Sequence, residues 1–342
     1  MPKTNNLLEY SNKFLIVFSC CIPVKGSRRS TICDLQRETF DFIPNILFTI
    51  LTEFKGKKFK EIVEYCGEEN QDVLHQYITF LTDKEYIFFS DEPEKFPSVN
   101  LDWKSPYEIS NAIIDFDASS NHDIELLVSE LDKLRCPAVQ LRFFFSPKYN
   151  ETIRILKCFE DSGIRTIELI LKYSNTVNLS NLKILIDRFQ RVSSINVTSS
   201  PKRKEITYQS YFPNILFQEQ VVDSANCCGS ISLSNFRVNI SLFTESQKFS
   251  SCLNRKVGID KDGLVKNCPT SKNDFGKFEK GKLGIVLKSR KFQELWSINK
   301  DMVEICKDCE FRYICTDCRI VANHKFSKPL KCKYDPYSAT WK

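Results

Sequence analysis

The stretch Cys306-Lys-Asp-Cys309-Glu-Phe-Arg-Tyr-Ile-Cys315-Thr-Asp-Cys318 puts four thiols within thirteen residues, and Cys332 follows after thirteen more. Such a density is not core packing: these thiols bind metal or are oxidised together. Upstream stand Cys252 and Cys268, the latter closing Asp262-Gly263-Leu-Val-Lys-Asn-Cys268-Pro269. Asp262-Gly263 reads as a hairpin turn that returns Cys268 towards Cys252. Four thiolates from a loop-rich segment satisfy a zinc site or an iron–sulfur cluster. A zinc ribbon usually sets its two Cys-x2-Cys knuckles about fifteen to twenty residues apart. Here five residues separate them, a compact spacing that suits iron–sulfur loops. Structural zinc and a redox site are the alternatives.

Length and composition bound the rest. The 342 residues suffice for two or three domains, and 42% hydrophobic with 27% charged residues reads as a globular chain. The first ten residues show no signal pattern and no apolar stretch reaches membrane-spanning length, so a cytoplasmic protein with no membrane partner is expected. In that reducing compartment, fifteen cysteines, an odd number, point to metal rather than disulfides. A net charge of +6 does not demand a nucleic-acid partner.

Along the chain, Phe14–Phe18 and Ser30–Leu35 read as strands of a hairpin across Val24-Lys-Gly-Ser27. Helical faces follow behind Pro44, around Phe59 to Val63, and over Val73, Tyr77 and Leu81. Tyr86-Ile-Phe-Phe89 returns to strand, which completes a winged-helix outline for residues 1–102. Residues 91–106 carry three prolines and read as a linker. Residues 103–226 then alternate strand and helix: Ile113–Phe116, Ala138–Phe144, Thr166–Leu171 and Ser194–Val197 are strands, with helical runs between them. Repeated β–α units imply a parallel sheet or partial β/α barrel. Residues 227–342 form the cysteine-rich remainder, so the expected class is α/β with flanking domains.

Seven cysteines in order with Gly263, in the pattern G-x4-C, C-x2-C-x5-C-x2-C and Cys332, resemble the SPASM domain of peptide-modifying radical SAM enzymes. The last knuckle interval is x2 here, where that domain usually has x3. The resemblance implies two 4Fe–4S clusters. Cys306, Cys309, Cys315 and Cys332 would hold one; Cys252, Cys268 and Cys318 would hold the other, with Cys228 or Cys227 as fourth ligand. The degenerate part is the barrel. A radical SAM enzyme carries C-x3-C-x2-C after its first strand, whereas Asp117-Ala-Ser-Ser-Asn-His-Asp123 has no cysteine, and no Gly-Gly occurs in the chain. No S-adenosylmethionine and no radical chemistry are therefore expected.

Together with Ser251-Cys-Leu-Asn-Arg-Lys256, Lys328–Tyr337 and Tyr10–Phe89, these segments resemble the SPASM-domain maturases of "grasp-with-spasm" cassettes. That family implies a precursor peptide and an ATP-grasp ligase as companions, and a partner rather than a catalyst. Residues 44–90 hold five Lys against eight Asp or Glu, and the segment 71–81 has no cation, which disfavours a DNA reader. The domain instead resembles the RiPP recognition element, which takes a leader peptide as an added strand. The hairpin from Phe14 to Leu35 would offer the strand edge, with Val73, Tyr77 and Leu81 on the opposite wall. A mere packing domain is the bland alternative. An iron–sulfur enzyme acting on the peptide and a cluster-sensing transcription factor are the competing functions. His75, His122 and His324 form no ligand pattern, and Cys20, Cys21 and Cys33 read as small buried hydrophobes.

Overall fold

The computed structural model describes residues 7–175, 177–211, 214–316 and 318–342. Its N-terminal part runs β1 (Phe14–Val17), β2 (Cys21–Val24), β3 (Ser30–Asp34), β4 (Thr39–Ile43), α1 (Asn45–Glu53), α2 (Phe59–Cys66), α3 (Gln71–Asp83) and β5 (Ile87–Ser90). The three expected helices and the returning strand are present, but the expected Phe14–Leu35 hairpin is not. β1 pairs antiparallel with β5, while β2, β3 and β4 form a separate antiparallel sheet in that order. The reason lies in the apolar run itself. Leu15, Ile16 and Val17 are all buried, so β1 needs cover on both sides. Opposite β5 it is closed off by residues 56–59, with Leu15 N–H donating to Lys57 O (3.2 Å) and Phe59 N–H to Lys13 O (2.8 Å). β1 therefore offers no free edge. β2 escaped detection because Pro23 lacks an N–H, which confines it to an outer strand.

The central unit comprises β6 (Asn111–Phe116), α4 (Ile124–Lys133), β7 (Ala138–Phe143), α5 (Tyr149–Lys157), β8 (Thr166–Lys172), α6 (Leu179–Arg188) and β9 (Val192–Thr198), close to the expected spans. β10 (Lys204–Ile206) and β11 (Ile215–Phe217) follow. Past α7 (Ile240–Lys248), β12 (Lys256–Ile259) and β13 (Val265–Lys266) complete an eight-stranded sheet ordered β10-β11-β9-β8-β7-β6-β12-β13. The result is a mixed α/β structure whose largest sheet is mostly parallel. Strands from within the cysteine-rich segment are thus part of it.

Register explains its two faces. Ile259, Ile114, Leu141, Leu169, Ile195 and Ile215 are successive partners across the sheet, each at most 1% exposed. With Leu127, Leu131, Leu156 and Leu185 of the helices, and Leu283 of α8 (Lys282–Lys288), they form the main core. One residue along each strand the side chains point the other way. There Asp115 and Arg142 are partners, joined by bonds of 2.6 and 2.8 Å and both buried.

The N-terminal sheet is not independent. Val24, Cys33 and Leu35 share a core with Phe311, Ile314, Cys315 and Tyr334. The β2–β3 loop docks on the same knuckle. Ser27 N–H donates to Asp308 O (2.8 Å), and Arg29 pairs with buried Glu310 (2.9 Å). A Cβ on Gly26 would lie 2.8 Å from the Glu310 Cβ, so only glycine fits. The linker is also anchored, with the Trp103 ring 5.3 Å from Phe249. Among the described residues no helix is long and apolar enough to cross a membrane.

Candidate metal centres

Turns and short helical segments position the thiols; the strands of the sheet do not carry them. β12 and β13 form an antiparallel hairpin whose turn needs Gly263 at φ +79°. Asp260 caps that turn by accepting the N–H groups of Asp262 (3.0 Å) and Leu264 (2.9 Å). The hairpin returns Cys268 to Cys252, as its sequence implies. Cys228 and Cys318 join them: the Cys268, Cys318 and Cys228 thiols all lie within electrostatic reach of Cys252. Cys227 turns away, its Sγ 3.5 Å from Val221 O, which leaves Cys228 as the fourth member.

Burial pushes the Cys252 thiol up to about 12, and the Cys268, Cys318 and Cys228 thiols push it the same way. Lys256 opposes them, with Nζ 3.8 Å from the Cys252 Sγ. Arg142 also feels Cys228 and Cys268, so this quartet sits over the polar face of the sheet. A cation inside such a quartet reverses the cost of ionising it, because coordinating thiols are deprotonated outright. Gly229, at φ +91°, allows the close fit: a Cβ there would lie 2.6 Å from the Cys318 Sγ. Gly229→Val is expected to abolish metal at this quartet and leave the other one loaded. Metal per chain, determined on the purified variant, checks this.

The second quartet is Cys306, Cys309, Cys315 and Cys332, which line one small cavity with Ile231, Phe236, Phe311, Pro329, Tyr334 and Trp341. Burial drives the Cys309 thiol well above its ordinary range; Glu310, Cys315 and Cys306 add to this, and a bond from the Phe311 N–H opposes it. Aromatic rings form much of the wall, and Lys300 and Arg312 also line the cavity.

Sulfur spacing bears on what either quartet fits. Thiolates around one tetrahedral zinc stand roughly 3.8 Å apart, given a Zn–S bond of about 2.3 Å. Among the described residues, no three thiols of either quartet come within 4.8 Å of one another; only Cys20, Cys21 and Asp34 meet that limit. A wider quartet leaves room for a polynuclear cluster, in which each thiolate would bind a different iron.

Other candidates are placed less uniformly. Val73 and Tyr77 line a groove with Ile46, Ile50, Tyr65, Cys66, Asn70 and Leu74. Leu81 does not: it is fully buried in the N-terminal core, because its helical face points inward with Leu74 and Ile78. His122 bonds the Asp115 carbonyl oxygen (2.8 Å) and stands outside both quartets. Lys256 and Arg142 went unnoticed in the sequence. A lone Arg and a lone Asp inside the apolar strands Ala138–Phe143 and Asn111–Phe116 were the available signal, since charges are rarely buried unpaired.

No protein-family model matches the chain, and no curated protein matches it. A solved structure of Streptococcus suis SuiB bound to S-adenosylmethionine is similar to it with 10% identity over 92% of this chain and 98% of that one, at a TM-score of 0.37. The loop Asp117–Asp123 carries no cysteine, but the expectation of no S-adenosylmethionine drawn from it is contradicted by that ligand-bound neighbour and is withdrawn.

Proposed function

We propose that this chain is an iron–sulfur partner in the maturation of a ribosomally made peptide. The observation that carries this is the assembly of two cysteine quartets from segments up to ninety residues apart in sequence (228 to 318). Cys228, Cys252, Cys268 and Cys318 hold one 4Fe–4S cluster, and Cys306, Cys309, Cys315 and Cys332 hold the other. Each cluster supplies a redox-active, Lewis-acidic group. The protein's own part is to supply four thiolates, exclude water with Phe311, Tyr334 and Trp341, and set Lys256 and Arg142 beside the first quartet.

The precursor leader binds the N-terminal part, and the support for this is twofold. β4 is an outer strand with β3 on one side and no other strand beside it among the described residues, and the groove of Val73 and Tyr77 supplies apolar pockets. Added strands take affinity from the backbone and specificity from such pockets. Val73→Glu is expected to weaken leader binding about tenfold or more, read by fluorescence anisotropy on the full-length protein; unchanged binding would move recognition elsewhere.

Assistance to an ATP-grasp ligase follows from the family resemblance, and the absence of a glycine-rich nucleotide loop in the sequence fits a division of labour. The test is reconstitution of precursor, ligase and ATP with and without this protein, read by mass spectrometry. Loss of modified peptide when the protein is omitted supports the proposal. Equal modification in both reactions overturns it.

A further inference from the structure

Three side chains at the start of β2 belong to neither quartet. Cys21 and Asp34 are cross-strand partners of β2 and β3, and Cys20 directly precedes them in the tight turn from β1. The Cys20 and Cys21 Sγ atoms are 3.8 Å apart, and a carboxylate oxygen of Asp34 lies within 4.8 Å of both. That is the sulfur spacing of a single tetrahedral ion, about 3.8 Å, and not the wider spacing of the quartets.

Asp34 is fully buried and held rigidly. Its Oδ1 accepts the N–H groups of Gln36 (3.0 Å) and Arg37 (2.9 Å), and its Oδ2 accepts Arg37 Nη1 (2.9 Å). Outer bonds of this kind orient metal-ligating carboxylates. Charge also balances: two thiolates and a carboxylate carry −3, offset by a divalent ion and the Arg37 guanidinium. Cys21 is buried, while Cys20 is half-buried and leaves a way in.

We propose that Cys20, Cys21 and Asp34 form a third metal site, taking one thiophilic divalent cation of the zinc class with water in the fourth position. The occupied site braces the leader-binding part. Arg37 also bonds Lys84 O (3.3 Å) and Glu85 at the end of α3, so the ion, Asp34 and Arg37 tie β2 and β3 to the helix that lines the groove.

The test uses full-length, anaerobically prepared protein given zinc, then alkylated with iodoacetamide and mapped by peptide mass spectrometry. Zinc is expected to protect the Cys20 peptide severalfold, while Cys66 and Cys158 are alkylated equally with and without it. Metal analysis should show about one added zinc per chain and unchanged iron, with that zinc lost from Cys20→Ser/Cys21→Ser and retained in Cys66→Ser/Cys158→Ser. Equal alkylation of Cys20 with and without zinc would overturn the proposal in the unmutated chain, whether or not the quartets hold iron. Full zinc retention in the double serine variant would overturn it too.

Discussion

Replacing Cys309 and Cys315 together by alanine is expected to remove about half of the iron, about four of about eight atoms per chain. The expectation follows from how the thiols are divided. Cys309 shares its electrostatic environment with Cys306 and Cys315, and Cys332 closes the same cavity. Cys252 shares its own with Cys228, Cys268 and Cys318. Cys315 and Cys318 are three residues apart yet fall to different quartets, so sequence proximity alone would give the wrong partition. Cys252→Ala with Cys268→Ala should remove the complementary half. Iron and acid-labile sulfide per chain are the measurements; loss of all iron from either pair would mean one shared site.

Asp115→Ala is expected to cost about 3–5 kcal/mol of stability. Its carboxylate and the Arg142 guanidinium meet in two bonds, with side-chain exposures of 1% and 5%. Removing the carboxylate leaves the buried Arg142 guanidinium without the two bonds that offset most of its desolvation. The paired change Asp115→Leu with Arg142→Met should recover much of the loss, because apolar residues of similar size can replace a buried ion pair. Denaturant unfolding of the three variants checks both statements. An Asp115→Ala protein as stable as the parent would mean that water or another anion reaches Arg142.

The sheet was legible because its signals are local. Ile113–Phe116, Ala138–Phe144 and Thr166–Leu171 are apolar runs of strand length separated by helical periods, and each becomes a strand of the largest sheet. The candidate metal-centre residues were singled out for a different reason: thiols at such density have few uses other than metal. Pairing across distance was not. β1 looks like half of a hairpin with β3 because they are neighbours in the chain, but its unbroken apolar run needs burial that only β5 and residues 56–59 supply. Leu81 shares a helix with Val73 and Tyr77, yet its place on the inward face decides its role. Nor does any local pattern announce that Arg29 and Thr31 reach Glu310, where Thr31 Oγ1 donates to the Glu310 carbonyl oxygen (2.9 Å). That contact joins the N-terminal part to the knuckle of the second quartet. A fragment ending near residue 102 would lose this shared core, which is why binding is to be measured on the whole chain.

The central claim is that the two quartets hold iron–sulfur clusters, and metal analysis of anaerobically purified, reconstituted wild-type protein tests it most directly. The account predicts about eight iron atoms and about eight acid-labile sulfides per chain. Two zinc ions bound by the quartets, with no iron and no sulfide, would contradict it.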